Sequence, residues 1–221
     1  MQRLFRAILG TVLLAAPAVA PVPALAAAEG IELSAIWNPT GEPPDGCSPG
    51  LAGDGRSTKW VVVEADGARG VAETSRDSTD YRFPVCIVDS PAYADLGNID
   101  VSVRFRPIAG KVDQAGGLAM RLKDDLNYYV VRANALENNV RLYAVINGER
   151  HQFAGVNVKV TSNQWHTLRV RAVGDRFSVY FDGSALFEAT DQRISGSGRI
   201  ALWSKADSVT EFVDLRLERL P

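Results

Sequence analysis

Downstream of Trp60, apolar and polar residues alternate with a period of two. Asn98–Arg106 places Ile99, Val101, Val103 and Phe105 on one face and Asp100, Ser102 and Arg104 on the other, the pattern of a strand with one buried side. Gly117–Lys123 turns Leu118, Met120 and Leu122 inward, and Arg176–Phe181 sets Phe177, Val179 and Phe181 against Arg176, Ser178 and Tyr180. Trp60–Glu64, Asn127–Ala133, Val140–Ile146, Trp165–Val173, Gly198–Ser204 and Val209–Leu217 read as strands in the same way. Asp66-Gly67, Asn147-Gly148, Gly174-Asp175 and Asp182-Gly183 separate these runs, dipeptides that accept the left-handed backbone of tight turns. No window of twelve or more residues keeps a 3.6-residue apolar period between caps. Strands punctuated by turns every 8–12 residues or so predict an all-β protein, an antiparallel β-sandwich or jelly roll.

The start of the chain has a different logic. Arg3 and Arg6 precede the apolar run Ala7–Ala16, and small residues with prolines follow, the composition of a secretory signal peptide. Of two small-x-small sites, Ala18-Val19-Ala20 is followed by Pro21, which disfavours cleavage, so cleavage is expected after Ala26. The apolar run is about half of what a bilayer-spanning helix needs, so no stable membrane insertion is expected after cleavage, and the protein is expected to be periplasmic or secreted. Residues 27–59 carry Pro39, Pro43, Pro44 and Pro49 among Gly41, Gly46, Gly50, Gly53 and Gly55 and read as an irregular N-terminal arm. The sandwich domain is expected over 60–221.

Composition narrows the function. Apolar residues are 46% and charged residues 23%, as in ordinary globular proteins. With 24 Lys and Arg against 26 Asp and Glu, nothing global points to a nucleic-acid partner. Two His and two Cys are too few for the usual zinc, haem or iron–sulfur ligand sets, and no regular calcium spacing occurs; no metal or cofactor is expected. In an oxidising compartment Cys47 and Cys86 are expected to form a disulfide, the alternative being two separate buried thiols.

Several motifs carry a resemblance. Gly116-Gly117-Leu118-Ala119-Met120-Arg121, the stretch from Asn127 to Tyr143, Trp165-His166-Thr167-Leu168, Phe181-Asp182-Gly183 and the run Leu202–Ser208 resemble bacterial exported proteins of the 3-keto-disaccharide hydrolase-like family, within the concanavalin A-like lectin/glucanase superfamily. The resemblance covers roughly Trp60 to Leu217 and implies a two-sheet jelly roll whose concave face handles carbohydrate.

Strand parity directs attention to the same face. If Asn134 pairs with Asn139 across a hairpin, Arg132 lies opposite Arg141, and Val130 opposite Tyr143. Opposed like charges destabilise a pair by a few tenths to about 1 kcal/mol unless something negative lies between them. Arg121 has outward parity on the preceding strand, and Arg104 and Arg106 on the one before, so a row of arginines is expected. The candidate ligand set is Arg121, Arg132, Asn134, Glu137, Asn138, Arg141, Tyr143, Trp203, Lys205 and Asp207, with Arg forks for a hydroxyl-rich or acidic glycan and aromatic rings as stacking surfaces. The other reading is a charged surface on which the arginines pair with Glu137, Asp124 or Asp207, and on which the hairpin asparagines serve turn geometry.

Catalysis has less sequence support. The Glu-x-Asp-x-x-Glu string of glucanases on this superfold is absent: Glu64-Ala65-Asp66-Gly67-Ala68-Arg69 ends in Arg and contains a turn. The first expectation is therefore an exported carbohydrate-binding β-sandwich. Alternatives are a glycoside hydrolase or lyase of the 3-keto-disaccharide type, and a structural or adhesion module of the cell envelope.

Overall fold

A computed structural model describes residues 38–221; the expected signal peptide, 1–26, and the first part of the arm lie outside them. The described chain is almost wholly strand: β1 (Cys47–Gly53), β2 (Trp60–Ala65), β3 (Ala68–Glu73), β4 (Arg82–Val88), β5 (Ile99–Ala109), β6 (Ala115–Asp124), β7 (Asn127–Asn134), β8 (Asn139–Ile146), β9 (Glu149–Asn157), β10 (His166–Val173), β11 (Arg176–Phe181), β12 (Ser184–Thr190), β13 (Arg199–Ser204) and β14 (Val209–Arg219). The only helical element among the described residues is a 3-10 turn at Pro91–Tyr93.

The strands form two seven-stranded antiparallel sheets. Sheet I has the order β1-β4-β13-β6-β7-β8-β9 and sheet II the order β12-β11-β10-β5-β14-β3-β2. β5 buries every second residue from Ile99 to Phe105, as its alternation requires. These residues meet Leu118, Met120, Tyr129, Val131, Ala133, Val140 and Leu142 of sheet I in one core between the sheets. Asp66-Gly67, Asn147-Gly148 and Asp182-Gly183 all take positive φ at both residues, closing the β2–β3, β8–β9 and β11–β12 hairpins in the turn type whose twist matches the strands.

The stretch expected to be an irregular arm contributes an edge strand. β1 pairs with β4 over its whole length, and Cys47 is joined to Cys86 of β4 with Cα atoms 5.3 Å apart. β4 was hidden in the sequence by Pro84, which cannot donate to a ladder. It is tolerated because β13 pairs with β4 only over Val85–Ile87, so Pro84 has a partner strand on one side alone.

A second apolar layer lies on the outer face of sheet I: Phe83, Val85, Ile87, Ala119, Tyr128, Val130, Tyr143, Val145, Ala201 and Trp203. Four strands separate β4 from β9 in the sheet order, about 24 Å in a flat sheet at the usual strand spacing. Yet the Arg150 guanidinium of β9 lies 4.3 Å from the Phe83 ring of β4, and the Tyr81 hydroxyl donates to the Gly148 carbonyl at 2.7 Å. Sheet I therefore curls until opposite corners touch, and its outer face is concave. This accounts for the weak alternation in β6 and β7: both of their faces are buried.

Candidate functional site

The β7–β8 hairpin supplies the centre of the site. Its register is the expected one, with Arg132 opposite Arg141, Val130 opposite Tyr143 and Asn134 opposite Asn139. Glycines flank the arginines on the adjoining strands, Gly117 beside Arg132 and Gly155 beside Arg141. A Cβ at Gly155 would stand 2.5 Å from Arg141 Cδ, and one at Gly117 would stand 3.0 Å from Arg132 Cβ, so both guanidinium stems lie over a bare backbone. The two like charges diverge. Arg141 turns outward to donate to Asn157 Oδ1 at 2.6 Å, whereas Arg132, only 4% exposed, turns toward the hairpin tip.

Arg132 is there the hub of a polar cluster. It donates to Asn139 Oδ1, to Glu137 Oε2 at 2.8 Å and to the Tyr143 hydroxyl at 3.1 Å, and Asn139 donates to the same Glu137 oxygen at 3.0 Å. Its Nε is buried without a partner among the described residues. Burial tends to raise the Glu137 carboxyl, but the Asn139 hydrogen bond and the Arg132 charge outweigh it and leave Glu137 below its ordinary value. Beside it, Asn134 donates to Asp113 Oδ1 at 2.5 Å while its own carbonyl oxygen accepts from the Leu136 and Glu137 amides at 2.9 and 3.2 Å. Asn134 thus both shapes the turn and holds a buried acid.

Lys205 completes the cluster from β13's end. Its ammonium stands 2.8 Å from Asp113 Oδ2, out of alignment for a hydrogen bond, and it also pairs with the exposed Asp80. Burial opposes the Lys205 charge, yet the close carboxylates of Asp113 and Asp80 prevail and its pKa lies above the ordinary lysine value. Asp113, 1% exposed, is raised by burial in spite of the lysine. On the inner side of the cluster, Arg150 lies against the Phe83 and Tyr143 rings at 4.3 and 5.1 Å, its Nε also buried and unpaired among the described residues.

The structure brings together five of the ten expected ligand residues: Arg132, Asn134, Glu137, Tyr143 and Lys205. Arg141 stands beside them on the open side. Asn138 adopts φ of 50° and uses its side-chain oxygen to accept the Val160 amide at 3.2 Å, so it shapes the tip. Asp207 accepts the amides of Lys111, Val112 and Asp113 at 2.7, 3.0 and 3.0 Å, clamping the loop that presents Asp113. Trp203 is not an open stacking surface: it is fully buried, stacked on Phe83 with centroids 5.8 Å apart and donating to the Tyr128 hydroxyl at 3.2 Å. Tyr143 is 9% exposed and offers the cluster its hydroxyl.

Arg121 is the largest departure. A register shift follows Met120 and Arg121 itself has φ of 49°, so a bulge reverses its parity. Its guanidinium packs 5.7 Å from the core ring of Phe177, away from Arg132. Arg104 and Arg106 also leave the expected row, because β5 belongs to the opposite sheet; there they pair with Asp214 and Glu211 and lie 5.1 and 4.7 Å from the Trp165 ring. Asp113, Asp80 and Arg150 were not singled out in the sequence. Pairing of β6 with β7 and of β8 with β9 brings Asp113 and Arg150 to the hairpin, and Lys205 brings Asp80.

His166 is buried and satisfied. Nδ1 lies 2.7 Å from Asp182 Oδ2 and Nε2 accepts the Thr161 amide at 3.1 Å, with no nucleophile in the arrangement. No group of three or more metal-ligating side chains converges among the described residues, and none of the described helices is long and apolar enough to cross a membrane.

A family model, galactocerebrosidase, C-terminal lectin domain, matches residues 99–220, and the chain belongs to that family. It is a lectin-like, carbohydrate-binding sandwich family, different from the hydrolase-like one that the motifs resemble. Among solved structures, the fold is similar to the carbohydrate binding module CBM66 from Bacillus subtilis, with TM-score 0.61 and 20% identity over 73% of this chain and 94% of that one. It is also similar to a protein of unknown function with a galectin-like fold from Bacillus subtilis, with TM-score 0.54 and 12% identity over 77% and 89%. The VIP36 exoplasmic/lumenal domain in its Ca2+/Man-bound form gives TM-score 0.53 and 11% identity over 80% and 84%. No curated protein matches the chain.

Proposed function

We propose that this lectin-domain family member is an exported protein that binds a glycan on the concave face of sheet I, at the end occupied by Arg132, Asn134, Glu137, Tyr143, Lys205 and Asp113. The observation that carries the reading is the Arg132 hub, a buried guanidinium held by three side chains with donor capacity left over next to a half-exposed carboxylate. Fixed donors and acceptors beside an apolar floor are what selective recognition of sugar hydroxyls requires. Arg141 extends the surface on the solvent side. Trp203 supports the floor from beneath and does not stack on the ligand.

The test is a glycan array followed by calorimetry on the best ligand, with Glu137→Gln and Arg132→Lys compared with the parent. Each substitution keeps much of the shape and removes a charged acceptor or a planar fork. A charge-assisted hydrogen bond contributes about 1.5–3 kcal/mol, so affinity should fall about tenfold to a hundredfold. Unchanged affinity in both variants would overturn the assignment of this face.

One observation favours the hydrolase alternative as a second reading. Asp113 is raised by burial while Glu137, close enough to influence it, is lowered, and two carboxyls pushed apart are what an acid and a base on one site need. Against this, Asp113 Oδ1 is already occupied by Asn134 and the Gln114 amide. Product analysis on any bound glycan separates the readings: release of a reducing end that is lost in Asp113→Asn supports the hydrolase.

A further inference from the structure

Arg121 lines a cleft of about 480 Å³ at the other end of the sandwich, with Asn98, Gly174, Asp175, Asp191, Gln192 and the 194–197 loop. Counting six residues along β6 from Ala115, this end is roughly 20 Å from the Arg132 cluster. Three observations at Arg121 call for one explanation. Its backbone is left-handed, φ 49°, a conformation disfavoured for a residue with a Cβ. Gly198 opposite has a backbone approach so close that a Cβ there would stand 2.5 Å from the Arg121 carbonyl carbon. The side chain is 6% exposed and makes no ion pair with a described residue: one nitrogen donates to the Gly174 carbonyl, another makes a long 3.5 Å contact to the Ile194 carbonyl, and Nε has no partner. Burial pushes its pKa down from the ordinary arginine value. A buried cation on a disfavoured backbone is a cost that a purely structural bulge does not require, since leucine or methionine would cover Phe177 as well.

We infer that this cleft is a second saccharide site, in which Arg121 donates to, and Asp175 accepts from, the neighbouring hydroxyls of a neutral sugar residue. The charges in the cleft select that class. Asp191 is already neutralised by Arg193, whose Nε lies 2.7 Å away, and saturated by the Tyr129 hydroxyl at 2.7 Å. Among the described residues the Asp175 carboxylate is engaged only by the Gln192 side-chain amide, at 2.7 Å, and it is near enough to Arg121 to favour its charged form. The cleft is thus close to neutral overall, with donor and acceptor side by side; an acidic sugar would be repelled by Asp175. Gly97, Gly174 and Gly196 keep the walls low, leaving room for one ring rather than a threaded chain. The site is independent of the Arg132 cluster, so either can fail without the other.

The test follows the Arg121 Nε–H signal of the protein by nuclear magnetic resonance while galactose, glucose, fructose and glucuronate are titrated separately. A saturable shift with at least one neutral sugar, and none with glucuronate, is expected. Arg121→Met keeps the cover over Phe177 without the buried charge, so, followed by calorimetry because it lacks the reporting Nε–H, it should keep or raise the melting temperature while weakening the sugar at least about tenfold; Asp175→Ala should weaken it comparably. Arg132→Lys should leave this titration unchanged. No shift with any neutral sugar, or a saturable shift with glucuronate alone, would overturn the proposal, as would an Arg121→Met variant that binds sugar like the parent.

Discussion

Glu73 at the end of β3 and Arg82 at the start of β4 form an ion pair 3.3 Å long in which both side chains are fully buried. It links sheet II to sheet I. The Glu73 carboxylate also accepts the Lys59 and Ser75 amides at 2.9 and 3.2 Å. Arg82 donates to the carbonyls of Arg56, Ala206 and Ser57 at 3.1, 3.1 and 3.3 Å. Glu73→Gln keeps the shape and an acceptor for the amides but leaves a buried guanidinium with no counter-charge, a change that typically costs about 3–5 kcal/mol. Arg82→Met leaves a carboxylate still held by two amides, so it should cost somewhat less. With both charges gone the remaining polar groups are neutral, and the double variant should be less destabilised than Glu73→Gln alone. Urea unfolding of the four proteins closes the cycle, with a coupling of about 2 kcal/mol or more expected. Additive losses would refute the reasoning, because they would mean that neither charge depends on the other. The pair also bears on binding: Arg82 fixes the Ala206 carbonyl, next to Lys205, so Glu73→Gln should weaken glycan affinity even in the fully folded protein.

Two further outcomes follow from the same contacts. The Cys47–Cys86 bond closes a loop with a sequence separation of 39, so replacing both cysteines by serine should lower unfolding free energy by about 4 kcal/mol on the chain-entropy model, and an unchanged urea midpoint would contradict it. Asp77 is held below its ordinary value by the Arg56 amide first and the Thr79 amide next, and Asp80 by its bond to Lys205. Because these folded values are depressed, their stabilisation is present above the ordinary Asp value of 3.8 and is lost as pH falls through the folded values; Asp113, raised by burial, works in the opposite direction. Thermal melts at about pH 7 and about pH 2 should show a net loss that is smaller in Asp77→Asn.

The strands legible in the sequence are those with one buried face or a strong turn signal. β5, β10 and β11 alternate cleanly, and the Asn147-Gly148 and Asp182-Gly183 turns mark the β8–β9 and β11–β12 hairpins. The strands that were missed are those whose apolar pattern is broken for a local reason. β3 is six residues long and carries Gly70 within it; β4 contains Pro84; β9 and β12 are edge strands whose residues are mostly half-buried or exposed; β1 is short, contains Pro49 and Gly50, and is secured to β4 by the disulfide.

The candidate site divides along the same line between local and long-range order. The opposed pair Arg132 and Arg141 could be placed because a hairpin's register depends only on its own turn, and Asn134, Glu137 and Asn139 lie within that turn. What the pair does depends on partners from far along the chain. Lys205 and Asp113 are 92 residues apart, yet they meet beside the hairpin, and Arg150, beside Tyr143 on the neighbouring strand, meets Phe83 of β4 only because sheet I curls. The repulsion expected between the arginines is relieved by divergence: Arg132 is drawn to Glu137, Asn139 and Tyr143, and Arg141 to Asn157 across Gly155. Arg121 could not have been placed by parity, because one inserted residue in a strand exchanges its faces. That bulge divides the two candidate sites between the faces of sheet I, leaving Arg132 on the concave face and turning Arg121 to the inner one, at the far end of the sandwich.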